Sequence, residues 1–237
     1  MGDEPRAMGR RQAVQGIVLA LGAGLGLAQA GEPPKGGQRP GPSPYDAPPL
    51  PKNEEEKKIL AILAELEPQR GPMLSVPRED GRLLRVLTEV AGAKQVVEVG
   101  TSNGYSGLWF CLALRTTGGR LTTHDIDPAK VKLANDNFRR AGVEQIATVV
   151  EGDAHQKIAE IKDPIDIAFV DADKPGYLDY VTKFIPMIRP GGLFVAHNAK
   201  IPPAEPAFIR AITTNPDIET IFLNMHAMGV AVTLKKR

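Results

Sequence analysis

From Gln95 to the C-terminus, short apolar runs alternate with stretches in which apolar residues recur every three or four positions. Runs of four to eight apolar or β-branched residues suit buried strands, whereas a 3.6-residue recurrence suits amphipathic helices. The pattern predicts strands at Gln95–Val99, Leu121–Asp125, Ala147–Glu151, Ile165–Val170 and Leu193–His197. Between them it predicts helices at Ser106–Leu114, Pro128–Ala141, a short one from His155, and Tyr177–Ile188, with a last helix at Pro206–Thr213. Strand and helix alternating at this spacing give an α/β doubly wound, mostly parallel sheet. The final runs, Glu219–Leu223 and Gly229–Leu234, are joined by Asn-Met-His-Ala-Met with no helix between them, so the sheet should finish with an antiparallel hairpin strand. Two lead-in helices precede the first strand. Ile59, Ile62, Leu63 and Leu66 mark one, and Leu83, Leu84, Leu87 and Val90 mark a second from about Pro77 to Ala91.

Upstream of Asn53 the periodicity disappears. Arg10-Arg11, an uncharged and mainly apolar run from Ala13 to Ala28, and Ala28-Gln29-Ala30 follow one another in the order of a secretory signal, assigning residues 1–30 to targeting. The paired arginines point to twin-arginine export into a bacterial periplasm. The alternative is an uncleaved membrane anchor with a cytoplasmic domain, although a span needs about 20 apolar residues. Residues 31–52 read as a Pro/Gly-rich linker, since eight of the 21 prolines fall between Gly31 and Pro51. One globular domain remains, residues 53–237.

Composition narrows the function. With 42% hydrophobic and 24% charged residues the chain is an ordinary soluble one, and 29 Lys/Arg against 28 Asp/Glu leave no basic excess for nucleic acid. Residues 1–52 hold six Lys/Arg and four Asp/Glu, so the domain alone carries −1 where the whole chain carries +1. A single cysteine, Cys111, excludes an intrachain disulfide and a zinc ribbon.

In a doubly wound sheet, ligands bind at the carboxyl ends of the strands. The first strand runs into Glu98-Val-Gly100-Thr-Ser102-Asn-Gly104-Tyr-Ser106-Gly107, with glycines where the chain must turn tightly and let a ligand approach its backbone. The glycine spacing is not that of the dinucleotide fingerprint, which disfavours a nicotinamide-dependent oxidoreductase. The second strand ends at Asp125, placed to accept hydrogen bonds from ribose hydroxyls, while Asp127 before Pro128 is the better helix cap. His124 alternates to the other face as a packing residue, and packing is also the expectation for most of Trp109, Phe110 and Cys111.

The Glu98–Ser106 loop, Phe169-Val-Asp-Ala-Asp-Lys174 and Arg189-Pro-Gly-Gly192, in this order, resemble the S-adenosylmethionine-dependent O-methyltransferases of the catechol and caffeoyl-CoA type. The resemblance covers roughly residues 54–237 and implies a Rossmann-like methyltransferase domain acting on a small phenolic or catechol-like hydroxyl, and a homodimer. It implies that Glu98, Gly100, Ser102 and Ser106 line the methionine side of the cofactor, that Asp125 holds the ribose, that Asp153 and Ala154 border the adenine, and that Val76 touches the cofactor from the lead-in segment. Lys174 takes the place of the family's general base. Asp171, His197 and Asn198 take the places of its divalent-metal ligands, but His197 stands where the family has Asp. That mixed donor set favours Mn2+ or a similar ion over Mg2+ or Ca2+, and Asp173 offers a compensating carboxylate. Without a metal, His197 is itself a candidate base. A second reading from another class is a cofactor-binding protein of the same fold that has lost catalysis, because export separates the domain from cytosolic S-adenosylmethionine.

Overall fold

The computed structural model describes residues 47–199, 205–224 and 229–237. The residues read as a targeting segment and most of those read as a linker lie outside the described residues, as do Met225, His226 and Met228. Among the described residues no helix is long and apolar enough to cross a membrane.

The lead-in consists of α1 (Glu54–Leu66), the single turn α2 (Arg70–Met73) and α3 (Arg78–Val90). The alternating body follows as β1 (Gln95–Val99), α4 (Tyr105–Thr117), β2 (Arg120–Asp125), α5 (Pro128–Ala141), β3 (Ala147–Glu151), α6 (Ala154–Lys157), β4 (Ile165–Val170), α7 (Tyr177–Met187) and β5 (Ile188–His197). It closes with α8 (Pro206–Thr213), β6 (Ile218–Leu223) and β7 (Val230–Lys235). The strands form one sheet in the order β3-β2-β1-β4-β5-β7-β6, parallel from β3 to β5, with β7 antiparallel to both β5 and β6. This is the expected doubly wound, mostly parallel sheet with its antiparallel ending.

Helix ends follow from local sequence. Asn53 caps α1 by accepting from the Glu56 amide at 2.9 Å, and Asp127 caps α5 ahead of Pro128 while Gly142 ends it in the left-handed region. Strand parity then sorts the core into two layers. Val96 of β1 packs with α1, α3, α4 and α5 on one face, and Val97 and Val99 pack with α7 and α8 on the other. Helix α4 lies inside the first layer, buried from Tyr105 through Leu114, which places Trp109, Phe110 and Cys111 in the core as expected. Its contact with α3 is so close that a Cβ on Gly81 would fall 2.3 Å from the Trp109 ring.

Two elements differ from the sequence expectation. The buried positions of α3 are Asp80, Gly81, Leu84 and Thr88, whereas Val90 is 83% exposed, so the inward face is more polar than its leucines suggest. Strand β5 begins five residues early, because Arg189-Pro-Gly-Gly192 is taken into the sheet across an irregular register with β4 instead of forming a turn. Arg189 pairs there with Asp166, which also accepts from the Lys94 and Gln95 amides at 2.7 Å. That motif ties the amino ends of the strands together, away from the carboxyl-end loops.

Candidate active site

Along the carboxyl ends of β1, β2 and β4 lies a cavity of about 610 Å³, within the size range of small-molecule sites. Its wall contains Val76, Gly100, Ser102, Ser106, Asp125, Asp153, Ala154, Asp171, Lys174 and Asn198, ten of the twelve residues to which the resemblance gives a site role, and Asp173 as well. Glu98 and His197 stand outside it.

The β1–α4 loop is shaped by backbone first. Gly100 adopts φ +99°, and a Cβ there would lie 2.2 Å from the Asp171 carbonyl oxygen, so only glycine lets β1 turn out beside β4. Ser102 is also left-handed, at φ 48°. It is held by its amide donating to Asp125 Oδ2 at 2.8 Å and its hydroxyl donating to the Met73 carbonyl at 2.5 Å. Asp125 Oδ1 accepts from the Asp127 amide at 3.0 Å, and Asp127 performs the capping of α5. Asp125 is thus fixed by two backbone amides with its carboxylate on the cavity wall.

Glu98 lies one layer behind the wall. It is fully buried, accepts from the Ser106 hydroxyl at 2.5 Å through Oε1, and has no hydrogen-bond partner on Oε2. Burial, partly offset by hydrogen bonding, pushes its carboxyl up to about 7, with Asp171 and Asp125 adding to the rise. His124 is buried with Nδ1 3.0 Å from the Glu98 carbonyl oxygen, and burial lowers its pKa. Asp153 caps α6 by accepting from the His155 amide at 2.9 Å, so it serves the fold as well as the cavity rim.

Asp171 and His197 belong to a cluster of ion pairs. His197 is 6% exposed and bridges two carboxylates, with Nε2 3.0 Å from Asp80 Oδ2 and Nδ1 3.0 Å from Asp171 Oδ2. The second contact is off the hydrogen-bond line and acts as an ion pair. Burial works to lower the His197 pKa, but Asp171 and Asp80 overcome it and raise it to about 9. The other oxygen of Asp171 faces Lys174 Nζ at 3.2 Å. Burial opposes ionisation of Asp171, yet His197 and Lys174 hold its carboxyl below the usual range. Both oxygens therefore already face cations, and a divalent ion does not fit this donor set. Asp173 does not compensate: Oδ1 accepts from Tyr180 at 2.9 Å and Oδ2 lies 3.5 Å from His155 Nε2. Among the described residues, no group of three or more His, Cys, Asp or Glu side chains is arranged to hold a metal ion. With a carboxylate at each nitrogen and no place on the wall, His197 is also poorly placed to act as a base.

Three residues at the site escaped the sequence reading. Asp80 shares the inward face of α3 with Leu84 and Thr88 at i, i+4 and i+8, and a carboxylate on such a face was the available signal. Tyr177 follows Lys174 by three residues. It accepts from Nζ at 2.5 Å, and its single hydroxyl proton is shared between the His197 carbonyl at 2.9 Å and that of Val170 at 3.1 Å, linking β4 to β5. Tyr180 stacks on His155 with ring centroids 4.2 Å apart, forming part of the cavity wall beside Asp153.

These shifts fix a pH dependence. The Glu98 and His197 pKa values are raised on folding, from 4.5 to about 7 and from 6.5 to about 9. Each contributes stability that is complete below its unfolded value and is lost as pH rises through its folded value. Unfolding free energy, measured by urea denaturation of ligand-free protein, is expected to fall between about pH 6.5 and pH 9, by up to about 1.4 kcal/mol per pH unit for each group inside its window, while below about pH 6.5 the depressed His124 pKa offsets the Glu98 contribution. A flat or rising profile over that range would contradict the assignment.

Comparison with known proteins gives a consistent picture. A family model described as O-methyltransferase matches residues 52–201. A catechol O-methyltransferase of Niastella koreensis is 36% identical over 148 residues, 61% of this chain and 66% of that protein. A Mycobacterium avium relative is 39% identical over 123 residues, 51% of this chain and 55% of its own length. The chain thus spans less than two thirds of these relatives. Among solved structures, an O-methyltransferase from Bacillus cereus in complex with SAH superposes with a TM-score of 0.65 at 25% identity, covering 79% of this chain and 93% of that one. The O-methyltransferase TomG from Streptomyces achromogenes, involved in tomaymycin synthesis and solved with SAM, gives 0.66 at 25% identity over 74% and 90%.

Proposed function

Because the chain belongs to the O-methyltransferase family, we propose that it transfers a methyl group from S-adenosylmethionine to the hydroxyl of a small phenolic acceptor. The observation that carries this reading is the single cavity wall that joins the Gly100–Ser106 loop, Asp125 and Lys174 at neighbouring strand ends. Its polar groups suit the cofactor's chemistry. Asp125 presents a fixed carboxylate to hydroxyls, and Ser106, whose hydroxyl donates to the buried Glu98, offers its oxygen on the wall to a cationic amine. Bound there, S-adenosylmethionine supplies a methyl group on a sulfonium centre, an electrophile that needs no further activation.

The chain's own task is then to orient the acceptor oxygen and remove its proton. Lys174 Nζ is on the wall and held by Asp171 Oδ1, by Tyr177 Oη at 2.5 Å and by the His197 carbonyl at 3.3 Å. These three acceptors keep the ammonium in place. A hydroxyl entering beside it meets a positive charge that favours the oxyanion; for Nζ to take the hydroxyl proton it first releases one of its own to solvent, and the ammonium that re-forms stands beside the oxyanion during transfer. Val76, Tyr105 and Ala154 supply apolar surface to the wall. No step is assigned to a metal, because both Asp171 oxygens are engaged.

Methyl transfer from labelled S-adenosylmethionine to a panel of phenols tests this. Turnover is expected to survive a chelator, and Lys174→Met is expected to lower kcat by about 100-fold or more while leaving cofactor affinity nearly unchanged. Cofactor binding with no transfer to any phenol would favour the reading of a non-catalytic cofactor-binding protein.

A further inference from the structure

We infer that His197 is an internal cation occupying the place of a divalent metal ion, so that this chain has exchanged a metal site for a side-chain bridge between α3 and the ends of β4 and β5.

The geometry gives the reason. A neutral imidazole has one N–H and one lone pair, so a carboxylate at each nitrogen would leave one lone pair facing a negative oxygen. Asp80 Oδ2 and Asp171 Oδ2 both stand 3.0 Å from ring nitrogens of a side chain 6% exposed to solvent. Only the imidazolium meets both without repulsion. Together with Lys174 on the second oxygen of Asp171, two cations balance two carboxylates, the neutrality a buried cluster requires. Asp80 is the informative member. It is 4% exposed, and apart from His197 no ion pair or hydrogen bond of its carboxylate is found among the described residues, its Oδ1 being unpartnered. A lone carboxylate on the inward face of α3 is a liability unless a cation lies opposite, and His197 is that cation.

The exchange has a converse. The substitution His197→Asp would remove the bridging charge and set a third carboxylate beside Asp80, Asp171 and the Asn198 amide, an oxygen-rich set suited to a hard divalent ion. The test uses full-length protein stripped with chelator and titrated with Mn2+ alone, with free Mn2+ read by electron paramagnetic resonance and stability by thermal melting. The unmodified protein is expected to show no saturable binding up to about 1 mM and no Mn2+-dependent shift in Tm. His197→Asp is expected to bind one ion at least about tenfold more tightly and to gain several degrees of Tm with Mn2+. Adding Asp171→Asn should abolish both effects. If His197→Asp folds only with Mn2+, the inference is supported. If it does not fold at all, Asp80→Asn/His197→Asp, which relieves the carboxylate crowding, decides by the same readout. Stoichiometric Mn2+ binding by the unmodified protein that is lost in Asp171→Asn, or a folded His197→Asp variant that binds no better, would overturn it. Neither readout uses methyl transfer, so this result stands or falls apart from the reaction proposed above.

Discussion

Asp125→Ala is expected to weaken S-adenosylmethionine binding by about 100-fold or more. A carboxylate held at a strand end accepts hydroxyl hydrogen bonds worth roughly 1.5–3 kcal/mol each, and the two hydroxyls of a ribose make the pair worth at least two powers of ten. The same side chain anchors the Ser102 and Asp127 amides at 2.8 and 3.0 Å, so its loss also loosens the loop that must approach the cofactor. Isothermal calorimetry on Asp125→Ala and Asp125→Asn separates these effects. The asparagine keeps an acceptor oxygen for one of the two loop amides while losing the charge, and it should retain intermediate affinity. Unchanged affinity in the alanine variant, with its melting temperature preserved, would remove Asp125 from the binding site.

His197→Ala is expected to cost about 3–5 kcal/mol of unfolding free energy, the magnitude for breaking a buried ion pair by deleting one partner. The loss falls on two carboxylates at once, because Asp80 and Asp171 both depend on the imidazolium. For a domain of this size, each kcal/mol moves Tm by about 2–4 °C, so a fall of roughly 10 °C is the observable. A double-mutant cycle with Asp80→Asn should recover part of it, since neutralising Asp80 removes one of the stranded charges. A loss below about 1 kcal/mol would show that the bridge is not formed in solution.

The sheet could be read from sequence because its central strands are short continuous apolar runs and its helices carry their own caps. Ile165–Val170 is buried at every position, and Asp127 marks the start of α5 where it was expected to. The cavity wall was legible for a related reason: in this topology, whatever follows a parallel strand lies at one end of the sheet, so motif order alone brings Gly100, Asp125 and Asp171 together. Pairings across the fold were not legible. Asp80 and His197 are 117 positions apart, and nothing local to either names the other. Glu98 was expected on the cavity surface, but strand parity turns it toward Ser106 and the α4 layer, behind the wall. The early start of β5 was hidden because Pro190-Gly191-Gly192 has the composition of a turn, and its place in the sheet depends on Arg189 reaching Asp166 from the neighbouring strand.

The most direct test of the methyltransferase assignment is calorimetric titration of the full-length, unmodified protein with S-adenosylmethionine in the presence of a chelator. Saturable one-to-one binding, competed by S-adenosylhomocysteine and unaffected by removal of divalent ions, is the expected result. No detectable binding by protein that melts cooperatively would contradict the assignment of the cavity to this cofactor, and with it the proposed reaction.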